Sequence, residues 1–324
     1  MMKCKKNIII IIMISILVLS LGFGASGAEL FRVAFIMPSS INDFAWSQSM
    51  HEALITIQKE MGKEEFQFVY SESMFVVADA AAAIRDYASE GYDLVIAHGS
   101  QYGASLTDIA PDFLNTSFVW GSTANVFTDL GITNIFAYEP LAEQGGYVNG
   151  VLAAKLSKSG IFGVIGPIET GDAKRYTEGF ELGIKSVNPD AKVNVTWIGS
   201  YSDVALASEA AQTHIDAGAD VLTGTSQMTI GAIGVVKQRG VLWFGYDVDQ
   251  SALAPQNVVS SVIVDWAVAL RPMIEMIKKG EKGGKIFTLS LANGGLKIIV
   301  NDEALVGKTI EDIVMGKIEV KLEK

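Results

Sequence analysis

Three short segments concentrate the residue types that could hold a planar or hydroxylated small molecule. Asn42-Asp-Phe-Ala-Trp-Ser-Gln48 offers an indole and a carboxylate. Gly199-Ser-Tyr-Ser-Asp203 offers a phenol ring and a second acid, and Phe244-Gly-Tyr-Asp-Val-Asp-Gln250 carries two acids. Two aromatic faces can sandwich a heterocycle or pack on a sugar, each contact contributing about 1–3 kcal/mol by analogy with base stacking. A carboxylate can accept two hydrogen bonds from a vicinal diol. Plainer roles compete for the same residues. Asp43 and Asp203 can cap helices, Trp46 can be core packing, and Asp247 can bond backbone amides at a hinge.

The spacings that catalysis or metal binding needs are missing. Gly22-Phe-Gly-Ala-Ser-Gly27 has the dinucleotide-binding pattern but follows no strand. Gly307-Lys-Thr309 resembles the end of a phosphate loop, yet Asp302 stands where the loop needs glycine. His51, His98 and His214 are far apart and fit no metal-ligand spacing. Ser100 follows Gly99, but His98 occupies the first glycine position of a nucleophile elbow, so His98 is expected to close a strand end rather than carry a proton. Neither an enzyme, a metal nor a cofactor is expected.

These segments sit on a repeating strand–loop–helix pattern. Apolar runs predict strands at Phe31–Met37, Phe66–Tyr70, Asp93–Ala97, Ser117–Trp120 and Asn134–Tyr138, with helices over Asp43–Met61, Ala78–Ser89 and Ala104–Ala110. The pattern restarts with a helix over Leu141–Leu156 and strands at Ile161–Ile165, Val193–Ile198, Val221–Gly224, Val241–Gly245 and Val258–Ile263. Helices over Ala173–Ser186, Ala205–Ala217, Ile230–Arg239 and Ala267–Lys279 alternate with them, and a strand-helix-strand tail ends the chain. Solid apolar strands alternating with helices indicate parallel sheets covered on both faces. Two consecutive doubly wound α/β lobes fit better than one sheet of about ten strands. The expected division is 29–139 plus 250–285 for the first lobe and 140–249 plus 286–324 for the second. Ligands collect at the carboxyl ends of strands in such sheets, so the loops of two facing lobes would share one cleft.

The chain has 324 residues and a formal net charge of −11. Its start, with Lys3, Lys5 and Lys6, an apolar run from Ile8 to Leu21 and small residues up to Ala28, has the layout of a secretory signal, with the cut expected after Ala28. Loss of that segment would take the charge to −14, which does not suit nucleic-acid phosphates. Cys4, the single cysteine, precedes the apolar run, so neither a lipid anchor nor a disulfide is expected. The expected location is periplasmic or extracellular.

Across nearly the whole chain after residue 28, the sequence resembles the basic membrane protein family of ABC-transporter binding proteins, the purine nucleoside receptor-like group. Asp43-Phe-Ala-Trp-Ser-Gln48 is similar to the family's aspartate, any residue, serine, phenylalanine, asparagine, glutamine loop. Gly199-Ser-Tyr-Ser-Asp203, Asp247-Val-Asp-Gln250, Phe180-Glu-Leu-Gly183 and Asn188-Pro-Asp190 resemble further family segments. The resemblance implies a type I periplasmic-binding-protein fold, a purine nucleoside or base held between Trp46 and Tyr201, Asp247 near sugar hydroxyls, an ABC permease as partner, and a monomer. Trp46 replaces the family's phenylalanine, Ser47 its asparagine, and Val264 a frequent lysine, so the free base is implied as much as the nucleoside. The expected ligand-binding residues are Asn42, Asp43, Phe44, Trp46 and Ser47 in the first loop, Gly99 and Ser100 after the third strand, and Tyr201, Asp203, Gln227, Asp247 and Asp249 in the second lobe. A sugar-binding protein of the same fold and a sensor without an importer are the competing readings.

Overall fold

The computed structural model describes residues 30–300 and 302–322. The expected leader over residues 1–28 lies outside the described residues. The first lobe is built on β1 (Phe31–Ile36), β2 (Phe66–Ser71), β3 (Leu94–Ala97), β4 (Ser117–Gly121), β5 (Ile135–Pro140) and β11 (Ile286–Leu289). These form one parallel sheet in the order β11-β5-β4-β3-β1-β2. The second sheet contains β6 (Ile161–Gly166), β7 (Lys192–Trp197), β8 (Val221–Gly224), β9 (Leu242–Asp247), β10 (Val258–Val264) and β12 (Leu296–Val300). Its order is β12-β10-β9-β8-β6-β7, and only β12 runs antiparallel to its neighbour.

The strands bury both faces because successive side chains point to opposite sides. In β1, Val33 and Phe35 enter a core shared with α1 (Trp46–Met61) and α8 (Ala267–Lys278), while Ala34 and Ile36 enter one shared with α2 (Val77–Ser89) and α3 (Gly103–Ile109). The second sheet repeats this. Ile165, Leu222 and Trp243 face α6 (Val204–Asp216) and α7 (Thr229–Arg239). Phe162, Val164 and Phe244 face α4 (Ala142–Leu156), α5 (Gly171–Val187) and α9 (Gly307–Val314).

Helices α4 and α5 approach unusually closely, and glycines on both allow it. A Cβ on Gly146 would lie 2.2 Å from the Tyr176 carbonyl oxygen, and one on Gly150 would lie 2.1 Å from that of Phe180. The reverse contacts, Gly179 on Glu143 and Gly183 on Tyr147, would be 2.3 and 2.2 Å. Backbone therefore packs on backbone along this crossing, with no room for a methyl group.

The chain passes between lobes three times among the described residues: between β5 and α4, between β10 and α8, and between β11 and β12. This corrects the allotment of the C-terminal strands. β10, placed by sequence in the first lobe, pairs with β9 and β12 in the second sheet. β11, placed in the second, joins the edge of the first sheet beside β5. The tail also runs strand, strand, helix rather than strand-helix-strand. Helix α1 begins at Trp46 rather than Asp43, because the Asp43 carboxylate takes the amides of Ala45, Ser47 and Gln48 and so ends the preceding turn.

Candidate functional site

In each sheet the strand order reverses beside the first strand of the lobe, between β1 and β3 and between β6 and β8. Loops leaving such neighbours diverge and open a crevice at the strands' carboxyl ends. The two crevices face each other and form a cleft of about 280 Å³. The first lobe supplies Pro38 and Trp46 after β1, Phe75 and Val77 after β2, Gly99, Ser100 and Gln101 after β3, and Ser122 after β4. The second supplies Asp172 after β6, Tyr201 after β7, and Ser226 and Gln227 after β8.

Trp46 lines this cleft while being braced from behind. Its ring stacks on that of His98 at 4.2 Å and 10°, with the edge of Trp266 5.0 Å away. Its Nε1 donates to the His98 carbonyl (3.1 Å). Nε2 of His98 meets the Trp46 carbonyl at 3.0 Å. A carbonyl only accepts, so Nε2 holds the proton and Nδ1 accepts from the Tyr138 hydroxyl. Burial pushes the His98 imidazole down to about 3, so it is neutral at physiological pH. His98 thus closes a strand end, as expected, and acts as backing for the indole.

Across the cleft, the half-buried Tyr201 has its hydroxyl pushed up by burial and by the neighbouring Asp172 charge. Asp172 opens α5 and reaches the first lobe, where Ser122 Oγ donates to its Oδ1 at 3.2 Å. Burial raises its carboxyl above the usual range, against the pull of Ser122 and of Arg175. That guanidinium is itself held by Glu143, through two bonds of 2.8 Å, and by Glu139. Asp247 lies deeper. It is 1 % exposed, sits at φ 81°, and its Oδ1 has no hydrogen-bond partner. Burial and the charges of Asp172 and Asp43 push its carboxyl well above the carboxylate range, opposed by the backbone of Ser226.

The structure brings Trp46, Gly99, Ser100, Tyr201 and Gln227 together on the cleft. Other expected residues do not line it. Asp43 is buried as a turn-closing acceptor, and Ser47 Oγ accepts from the Ser39 amide. Asn42 is exposed and takes the Ser40 hydroxyl. Phe44, at φ 52°, gives its carbonyl to Gln250 Nε2 at 3.1 Å, tying the lobes together. Asp203 caps α6 through the Leu206 amide, and the exposed Asp249 takes that of Ser251. An acid after a strand end reads the same in sequence whether it caps a helix or faces a cleft. Asp172 follows β6, and like Phe75, Val77 and Ser122 it carried no sequence signal beyond lying just past a strand end. Among the described residues, no group of three or more His, Cys, Asp or Glu side chains could hold a metal, and no helix is long and apolar enough to cross a membrane.

Residues 30–322 match the family described as ABC transporter substrate-binding protein PnrA-like. The chain belongs to this family. It is 31 % identical over 246 residues to a purine-binding protein of Brucella abortus (strain 2308), covering 76 % of this chain and 68 % of that one. It is 27 % identical to the transcriptional activator protein Med of Bacillus subtilis (strain 168), covering 85 % and 84 %. Its fold matches an ABC transporter solute-binding protein from Conexibacter woesei with a TM-score of 0.74 at 23 % identity, over 90 % of this chain and 98 % of that one. The periplasmic-binding-protein architecture is thereby shown. Proteins of this family bind small solutes outside the cytoplasm for a membrane permease and are not enzymes.

Proposed function

We propose that this PnrA-like protein binds a purine, as free base or nucleoside, and presents it to an ABC permease as an exported, monomeric binding protein. The observation that carries this reading is the placement of Trp46 and Tyr201 from opposite lobes on one cleft with Ser100, Gln101, Asp172 and Gln227. Aromatic walls supply stacking energy, and the polar groups supply the donors and acceptors that a purine edge needs. The likeness to a purine-binding protein supports the same ligand class. Asp247, buried behind Ser226, would meet the sugar hydroxyls of a nucleoside. Closure of the lobes would bring the two walls onto opposite ring faces, and a ligand that contacts both lobes favours that closed state.

A thermal-shift screen of residues 29–324, unfolded and refolded to remove carried ligand, tests this. At 100 times its dissociation constant a ligand adds about 2.7 kcal/mol of stability. That corresponds to a rise of roughly 4 °C for a chain of this size. A shift with purines but not with pyrimidines, pentoses or hexoses is expected. A shift with sugars alone would replace the purine by a sugar in the same cleft.

A further inference from the structure

The cleft lining contains a carboxylate and no lysine or arginine. The acid is Asp172, on the opening turn of α5; Ser122 donates to its Oδ1 and the backbone amides of Asp172 and Ala173 also favour the carboxylate, which leaves part of its acceptor capacity for a ligand. An ionised carboxylate has about four acceptor sites and no donor. Behind the lining, Asp247 adds a second carboxyl whose Oδ1 is unpartnered at 1 % exposure. The cation whose charge acts on Asp172 is Arg175, which is occupied by Glu139 and Glu143. The cleft therefore presents acceptors and negative potential to whatever enters. Its neutral donors, from Ser100, Gln101 and Gln227, cannot balance a phosphate.

We propose that Asp172 is a specificity-determining residue that accepts hydrogen bonds from the N–H groups of an amino-substituted purine, so that the site takes aminopurines in preference to 6-oxopurines lacking an amino group, and excludes nucleotides. This deepens the purine reading and rests on it. An exocyclic amine, or the adjacent N–H and NH2 of a guanine edge, meets the free lone pairs of Asp172. Hypoxanthine keeps its ring N1–H but has no exocyclic amine, so it offers Asp172 one donor where guanine offers two, and in the pose of adenine it sets its 6-carbonyl against the carboxylate. Discrimination by a site built around one polar complement is larger than discrimination by shape alone. A phosphate would be brought against the Asp172 carboxylate without a compensating cation, which costs more in a partly buried cleft than in water.

Titration calorimetry with adenine, guanine, hypoxanthine, adenosine and AMP tests the proposal on the wild-type chain and on Asp172→Asn and Ser122→Ala. Wild type should bind adenine or guanine about tenfold or more tighter than hypoxanthine, the range for a hydrogen bond to a charged group. AMP should bind at least about a hundredfold more weakly than adenosine. Asp172→Asn should remove most of the preference by weakening the aminopurines and leaving hypoxanthine within about threefold, whereas Ser122→Ala should retain the preference. Equal affinity of wild type for aminopurines and hypoxanthine, or an equal loss for both in Asp172→Asn, overturns the proposal while leaving a purine site. Failure of the wild type to bind any purine overturns the purine reading and this one with it. The wild-type preference stands as a test even where Asp172→Asn does not fold.

Discussion

Trp46 and His98 clasp each other twice: the indole N–H of one binds the carbonyl of the other, the imidazole N–H returns the bond, and the two rings stack at 4.2 Å. The clasp joins the first turn of α1 to the end of β3, the two elements that flank the crevice of the first lobe. The cleft wall is therefore rigid before a ligand arrives, which lowers the entropy cost of using it.

Replacing Trp46 with Ala should weaken purine binding by about tenfold or more, the value of one lost stacking face. Trp46→Phe keeps a face but leaves the His98 carbonyl without its donor, so it should bind more tightly than Trp46→Ala and melt below wild type. Calorimetry and melting curves on the pair separate stacking from bracing. Unchanged affinity in Trp46→Ala would remove the indole from the site.

Acid should act on the clasp through His98. Its folded value, about 3, lies below the unfolded one, so its contribution is complete above about pH 6.5 and is lost as pH falls toward 3. One proton corresponds to about 1.4 kcal/mol per pH unit, or about 2 kcal/mol between pH 6.5 and 5. Asp247 has the opposite sign. Its carboxyl is raised in the fold, so its contribution is complete below the unfolded carboxylate value and is lost as pH rises. The two slopes offset one another in wild type. In Asp247→Asn the opposing slope of this carboxyl is removed, and urea midpoints at pH 5, 6 and 7 should fall more steeply with acid than those of wild type. A slope unchanged by the substitution would mean that Asp247 is not held protonated.

Asp247→Asn should also be more stable than wild type at pH 7, because the amide carries no charge to bury beside Asp172 and Asp43 and needs no proton taken up on folding. Asparagine tolerates the left-handed backbone that Asp247 adopts at φ 81°. Nucleoside affinity should fall more than free-base affinity, because an NH2 then stands where the carboxyl offered its second oxygen to the sugar hydroxyls. Stability gained at the expense of binding is the usual mark of a group kept for its ligand.

Gly150→Ala should cost about 1–3 kcal/mol or more by overpacking, since its Cβ would sit 2.1 Å from a backbone oxygen on α5. Gly234→Ala, where a Cβ meets nothing within 4 Å, is the control and should be neutral or stabilising. Denaturation midpoints of the two variants check this. An unaffected Gly150→Ala would show that the helices can separate freely.

The strands and helices were legible because buried parallel strands and amphipathic helices write their periods into local sequence. The destination of a strand is not local. Ile286–Leu289 and Leu296–Val300 are both short and half-apolar, and only the crossings of the chain send one to each sheet. In the cleft, Trp46 and Tyr201 were legible as aromatic residues just past strand ends. Asp172 was not singled out, because its meaning depends on Ser122, fifty residues earlier and in the other lobe. Asp203 and Asp249 carried the same sequence signal as Asp247 and proved to be turn and helix caps.

The three passages between lobes have a consequence for the order of synthesis. Neither half of the molecule is a continuous stretch of chain. The first sheet lacks its edge until Ile286–Leu289 has been made, and the second lacks its own until Leu296–Val300 follows. A ribosome must therefore deliver the chain through residue 289 before the first half can finish and through residue 300 before the second, so the two halves mature in close succession. No single cut within a passage would release one half intact, and a chain stopped short of residue 286 would leave both unfinished.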